Sequence, residues 1–233
     1  MAEQLATQSK PLAFGVELEF TIATLQKDAV DPQPNDPRGT DHAGSAVPQS
    51  VEAWENLQGS IVKALALSNI PARSAMAWSR ESKKQTVDKN ERELFWFVHK
   101  DPTIWAPDKD YDWYSVELQS LPLEFDEHSL TQVRWVVTTI KTYFRANVNR
   151  STGLHVHIVN GDLGFDPGTI KQLCAFLWTF ENQLKLIHPS HRLENWLHCA
   201  GFDHCELWKL IEAHLKLDKG PIIWTTSDIR NFV

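Results

Sequence analysis

The chain has 233 residues, with 23 Lys and Arg against 30 Asp and Glu, giving a formal net charge of −7 at pH 7 with histidines neutral. That acidic balance argues against nucleic acid or an anionic membrane as partner, because phosphate binding takes a basic face. At 42% hydrophobic and 23% charged, with ten Trp, the composition is that of a globular chain with a sizeable core. Cys174, Cys199 and Cys205 have no close paired spacing, which excludes a disulfide framework and a zinc ribbon. Met1 to Leu5 lack the charged leader and apolar run of a secretory signal. No stretch approaches the roughly eighteen apolar residues of a membrane span, so the expected location is the reducing cytoplasm.

In chain order, Leu12 to Thr24 read as a long strand after a loose start. Glu17 and Glu19 share one of its faces, and Val16, Leu18 and Phe20 the other. Residues 31–49 hold four Pro and two Gly with little apolar content, which reads as an exposed loop insertion or lid. Ser50 can cap a helix to about Ser68, with Val51, Trp54, Leu57, Ile61 and Leu65 as its apolar stripe. Ile70 to Trp78 and Glu93 to His99 read as strands flanking a charged segment. Trp113 to Leu121 form a strand ended by Pro122, with Glu117 and Gln119 on the face opposite Val116 and Leu118.

A second strong helix is expected over Ser129 to about Asn147, with Leu130, Val133, Val137, Ile140 and Phe144 inward. The strand Gly153 to Ile158 follows, where Leu154, Val156 and Ile158 alternate with His155 and His157 and are expected in the core. Asp166 caps a third helix with Pro167 in its first turn, and Ile170, Leu173, Leu177, Phe180, Leu184 and Ile187 line its buried side until Pro189. Cys174 lies within this apolar pattern as a buried thiol. Asp203 and Glu206 have capping-box spacing for a fourth helix to about Leu217. Paired strands with helices between and after them predict one α+β domain over 1–233 with a mostly antiparallel sheet. No heptad or apolar surface stripe speaks to oligomeric state.

Three strands that hold acids or imidazoles on one face suggest a single polar wall. Carboxylates two apart on a strand lie roughly 6–7 Å apart, close enough to reach a shared cation. Like charges so placed repel unless something neutralises them. Oxygen donors suit Mg²⁺ or Mn²⁺, and Mn²⁺ tolerates an added imidazole. Glu17, Glu19 and Glu117 with His155 or His157 therefore read as a divalent-metal site handling a phosphate-bearing substrate.

In order and apolar framing, Phe14-Gly15-Val16-Glu17-Leu18-Glu19-Phe20, Val116-Glu117-Leu118-Gln119-Ser120-Leu121-Pro122 and Ser151-Thr152-Gly153-Leu154-His155-Val156-His157-Ile158 resemble the motifs of the amidoligase family. That family is similar to glutamine synthetase and the γ-glutamylcysteine synthetases. His99 to Ile104 resemble its Asp-x-Ser/Thr segment, and His188-Pro189-Ser190-His191-Arg192 its His-Pro-x-x-Arg segment; the likeness spans residues 12 to about 196. The resemblance implies an ATP-dependent carboxylate–amine ligase that works through an acyl phosphate. It implies a glutamine-synthetase-type catalytic sheet with helices on one face, ATP and Mg²⁺ (or Mn²⁺), and small-molecule carboxylate and amine substrates. By motif match, Glu17, Glu19, Glu117 and His155 would be metal ligands, with His157 aimed at phosphate or metal. Arg192 would pair with a phosphate or the substrate carboxylate, and Asp101 would serve the amine side. Arg192 equally fits an ordinary surface arginine, and Asp101 a turn residue before Pro102.

One departure concerns a late strand with a Glu-x-Arg pair, which the family carries and which this sequence does not show before Val233. It leaves open a truncated or inactive relative that binds nucleotide, metal or a partner. A third alternative is a cupin-type or zinc metalloenzyme, since His-x-His on a strand is a cupin hallmark. Asn160-Gly161-Asp162, however, stand where a cupin carries Glu.

Overall fold

The computed structural model describes residues 12–25, 28–40, 49–83, 89–160 and 164–193. Contacts divide the chain into two compact units, residues 1–162 and 163–233. The first unit is built on β1 (Ala13–Thr24). One edge of β1 pairs antiparallel with β4 (Asp112–Gln119) along Glu17–Thr24 and with β5 (Leu123–Glu124) at Ala13–Phe14. The other edge pairs with β7 (Leu154–Val159) along Ala13–Leu18 and with β6 (Ala146–Asn147) at Thr21–Ile22. Beyond β4 lies β3 (Trp96–Lys100), antiparallel, then β2 (Ala72–Ser74), parallel to β3. The result is an open, mixed, mostly antiparallel sheet of seven strands in an α+β fold.

Ser120 explains how one edge of β1 serves two partners. Its hydroxyl accepts from Val16 N at 2.9 Å and donates to Leu121 O at 2.8 Å, while its amide donates to Val16 O at 2.8 Å. The side chain thus keeps the Val16 amide paired where the chain leaves β4 for Pro122 and β5.

Phe14, Val16, Phe20 and Ile22 of β1 join Val116, Leu118, Trp96 and Val98 in the core, against α1 (Val51–Leu67) and α3 (Glu127–Tyr143). Ser50 caps α1 by accepting from Ala53 N, and Trp54, Leu57, Ile61 and Leu65 form its buried stripe. Full burial of each such side chain stabilises by about 1.5–3 kcal/mol. Val51, expected in that stripe, is exposed in the first helical turn. Helix α3 starts at Glu127, two residues before the expected Ser129, with Asp126 as its cap, and Val136 is buried where Val137 was expected. Leu130, Val133, Ile140 and Phe144 face the core as expected. The helix stops at Tyr143, short of Asn147, because Phe144 turns extended and residues 146–147 pair with β1.

Two further expectations are corrected. Only residues 72–74 of the stretch Ile70–Trp78 are strand; α2 (Ala75–Lys83) starts at once, with Ser74 Oγ accepting from Ala77 N. Arg, Glu and Lys favour that helix, and with the 3₁₀ turn at Lys89–Leu94 it supplies the crossover that parallel β2 and β3 need. On β7, Leu154, Val156 and Ile158 are 62, 56 and 59% exposed instead of buried. β7 is the outermost strand on its side of β1, whereas α1 packs against β2 and β3 at the opposite end of the sheet.

In the Pro-rich stretch, residues 31–40 are mostly exposed but anchored, and residues 41–48 lie outside the described residues. Arg145, 6% exposed, donates to both Asp31 carboxylate oxygens at 2.7 and 2.8 Å, to Asp36 O at 3.0 Å and to Arg38 O at 2.9 Å. The Arg145 guanidinium is the main cause that holds the Asp31 carboxyl down at about 2.

The second unit contains α4 (Pro167–Thr179), α5 (Glu181–Lys185) and α6 (Ser190–Leu193). Asp166 caps α4 by accepting from Gly168 N and Thr169 N. The single helix expected to reach Ile187 is interrupted at Phe180, where φ is −107° and ψ 14°. Just before it, Thr179 Oγ1 bonds back to Ala175 O, a contact that bends helices. Leu173, Phe180 and Ile187 are exposed, not buried, and Cys174 is partly buried. The expected fourth helix, 203–217, and the end of the chain lie outside the described residues.

Because the folded-state pKa of Asp31 lies below its ordinary 3.8, its contribution is complete above that value and lost as pH falls through about 2. Asp31→Asn is therefore expected to lower the denaturant midpoint at neutral pH. The gap to wild type should narrow steadily between pH 4 and 2; a gap unchanged over that range would contradict the anchor.

Candidate active site

The pairing register fixes which side chains share the face opposite α1 and α3, since partners directly across neighbouring strands stand about 4.8 Å apart. One cross-strand row is His99, Glu117 and Glu19. The next is Phe97, Gln119, Glu17 and His155, and beyond it Gly15 faces His157. Three strands thus place Glu17, Glu19, Glu117, His155 and His157 on one continuous patch.

The side chains meet within this patch. His155 Nδ1 lies 3.0 Å from Glu17 Oε2 and its Nε2 3.6 Å from Glu19 Oε1, so one imidazole spans both β1 carboxylates. His157 Nε2 lies 3.2 Å from Glu17 Oε1, and Gln119 Nε2 donates to the same oxygen at 3.2 Å. Burial raises the Glu17 pKa, but hydrogen bonds and charge from His155 and His157 outweigh it, leaving the group below its ordinary value. Glu117 goes the other way: burial, then the charges of Glu17, Asp101 and Glu19, push it up.

Asp101, in the loop after β3, joins the strand residues. One carboxylate oxygen each from Glu19, Asp101 and Glu117 lie within 4.8 Å of one another. Asp101 also accepts from Thr103 N at 2.8 Å and Thr103 Oγ1 at 2.7 Å, so it shapes its own turn. Four residues on, Trp105 N donates to Ser151 Oγ at 2.9 Å and Trp105 O accepts from Asn149 Nδ2 at 2.8 Å. Asn149 Oδ1 accepts in turn from Ser151 N and Oγ. Because β3 and β6 lie on opposite sides of β1 and β4, residues 101–105 arch across the Glu19–Glu117 row and are tied down at 149–151. Through these ties Ser151 holds the loop that aims Asp101.

The first unit thus brings together six of the residues singled out in the sequence: Glu17, Glu19, Asp101, Glu117, His155 and His157. Arg192 is carried by α6 in the second unit. His99 and Gln119 also lie on the face, and Arg92 Nη2 reaches Gln119 Oε1 at 3.5 Å. Sequence alternation could have put His99 on one face of its strand with Phe97, though its place opposite Glu117 comes from the pairing register.

Three convergent oxygen donors beside a carboxylate–imidazole set suit a hard divalent cation that tolerates nitrogen. The fold and this face define an α+β protein whose open sheet carries an acid- and histidine-lined site. A family model described as "putative amidoligase enzyme" matches residues 10–224, and the chain belongs to that amidoligase family of amide-bond-forming ligases. Neither a curated protein nor a solved structure matches the chain. Among the described residues, no helix is long and apolar enough to cross a membrane.

If Ser151 anchors the arch, Ser151→Ala should raise amide hydrogen exchange at Trp105 and Thr103 while leaving β1 and β4 amides protected. Exchange at Trp105 equal to wild type would show that the tie does not hold the loop.

Proposed function

We propose that the chain is an ATP-dependent carboxylate–amine ligase, in which a substrate carboxylate attacks the terminal phosphorus of ATP to give ADP and an acyl phosphate. An amine then attacks the acyl carbon, phosphate departs with the C–O bonding pair, and the amide forms as the nitrogen gives up a proton. The observation that carries this reading is the meeting of Glu19, Asp101 and Glu117 within 4.8 Å, next to Glu17 and its two imidazoles. It is supported by the family to which the chain belongs.

The residues fit Mg²⁺ or Mn²⁺. An ion with bonds of about 2.1 Å draws oxygens to roughly 3–4 Å of each other, a small closure from the spacing of these carboxylates. Glu19, Asp101 and Glu117 would hold it, with His155 at the Glu19 side and His157 turned to phosphate or metal at the Glu17 side. Bound there, the ion would offset charge on the phosphate oxygens. Glu17, by accepting from both imidazoles and Gln119, keeps these groups facing the substrate side of the sheet.

Purified protein with ATP, Mg²⁺ and mixtures of amino acids and polyamines should release ADP. Glu17→Ala or Glu19→Ala should lower that rate about a hundredfold or more. Nucleotide binding without turnover would favour an inactive relative, and tightly held stoichiometric zinc or iron a different metalloenzyme. Acid should weaken the site as well. Because Glu117 is held above its ordinary 4.5, protons compete with the cation from higher pH than at an isolated glutamate. Mn²⁺ affinity should therefore already be falling above pH 4.5; affinity that stays flat down to that pH would count against Glu117 as a ligand.

A further inference from the structure

The polar face continues past the acids into a basic and aromatic end. Arg92, in the turn Lys89–Leu94, has its guanidinium carbon 5.7 Å from the centre of the Phe97 ring. Its Nη2 donates to Gln119 Oε1 at 3.5 Å, and Gln119 Nε2 passes the chain on to Glu17 Oε1 at 3.2 Å. Arg38, Arg73, Arg80, Arg134 and Arg145 each hold a carboxylate. Arg92 holds none among the described residues, although Glu17 is only one side chain away. Beside this chain opens a cleft lined by Phe14, Gly15, Glu17, Gln119, Pro122 and His157. Gly15 shares the face of Glu17 and brings no side chain into the cleft.

We infer that Arg92 and Gln119 form an oxyanion-binding subsite at the Glu17 end of the wall, taking either a nucleotide phosphate or the carboxylate of the acid substrate. The inference rests on the ligase reading and deepens it. Both substrates of such an enzyme are anions, and a wall of carboxylates repels them until positive charge is supplied. A metal ion supplies it at Glu19, Asp101 and Glu117. Arg92 supplies it at the other end, with a planar fork of donors that matches phosphate and carboxylate oxygens. Phe97 under the guanidinium limits its freedom, so less entropy is lost when an anion arrives. Phe97 lies two strands from Glu17, about 10 Å, so an anion on Arg92 stays within one small substrate's length of the three convergent carboxylates. If Arg92 only offsets the charge of Glu17 through Gln119, no anion depends on it.

The test titrates tripolyphosphate and, separately, glutarate into Mn²⁺-loaded wild type, Arg92→Gln and Arg92→Lys, with Mn²⁺ uptake measured on each. One probe should bind wild type, and Arg92→Gln should weaken it at least tenfold with Mn²⁺ uptake intact. Arg92→Lys, which keeps charge but loses the fork, should fall between. The affected probe tells phosphate from carboxylate. Equal binding by wild type and Arg92→Gln overturns the subsite, as does wild type binding neither probe. Absence of Mn²⁺ uptake in wild type would instead sink the metal reading, and the same titrations run metal-free would still decide the role of Arg92.

Discussion

Mutual repulsion among Glu17, Glu19, Asp101 and Glu117 is the constraint around which the first unit is arranged. With oxygens of three of them inside 4.8 Å, each ionised pair costs on the order of 1–3 kcal/mol on a partly wet surface. Without restraint such a group would spread out or take up a proton; Glu117, pushed up first by burial and then by the charges of Glu17, Asp101 and Glu19, shows that pressure. The structure keeps the acids together by other means. Backbone pairing on both edges of β1 fixes Glu17 and Glu19, and the arch tied to Asn149 and Ser151 fixes Asp101. Imidazoles and an amide then satisfy Glu17. On the reading proposed above, acids held against their repulsion are a site prepared for a cation.

The rest of the unit serves that placement. The back of the sheet buries aromatic and branched side chains against α1 and α3, so β1 cannot slide by one residue without turning Val16 and Phe20 outward and the acids inward. Ser120 lets β4 end and β5 begin without leaving the Val16 amide unpaired. Arg145 ties residues 31–38 to the beginning of β6, below the end of α3.

Much of the face is legible in the sequence because strand alternation is a local property. Glu17 with Glu19, Glu117 with Gln119, and His155 with His157 can each be placed on one side of a strand from neighbours alone. Register is not local, so nothing in the chain says that His155 stands opposite Glu17 or His99 opposite Glu117. Asp101 stands out only through a family likeness, which implies a role on the amine side, yet its carboxylate sits among the strand acids. Its path is set by hydrogen bonds to residues 44 and 46 positions from Trp105, which no window of sequence reveals. The misjudged apolar positions of β7 have a similar origin. Leu154, Val156 and Ile158 have the pattern of a half-buried strand, but burial also needs a covering layer, and pattern cannot show where that layer ends.

Whether the convergent carboxylates form a cation site is tested most directly by an anomalous difference map from crystals soaked in MnCl₂. A strong peak bounded by Glu19, Asp101 and Glu117 is expected, lost in Glu19→Gln crystals. A map with the three carboxylates in place and manganese only at scattered surface acids would contradict it.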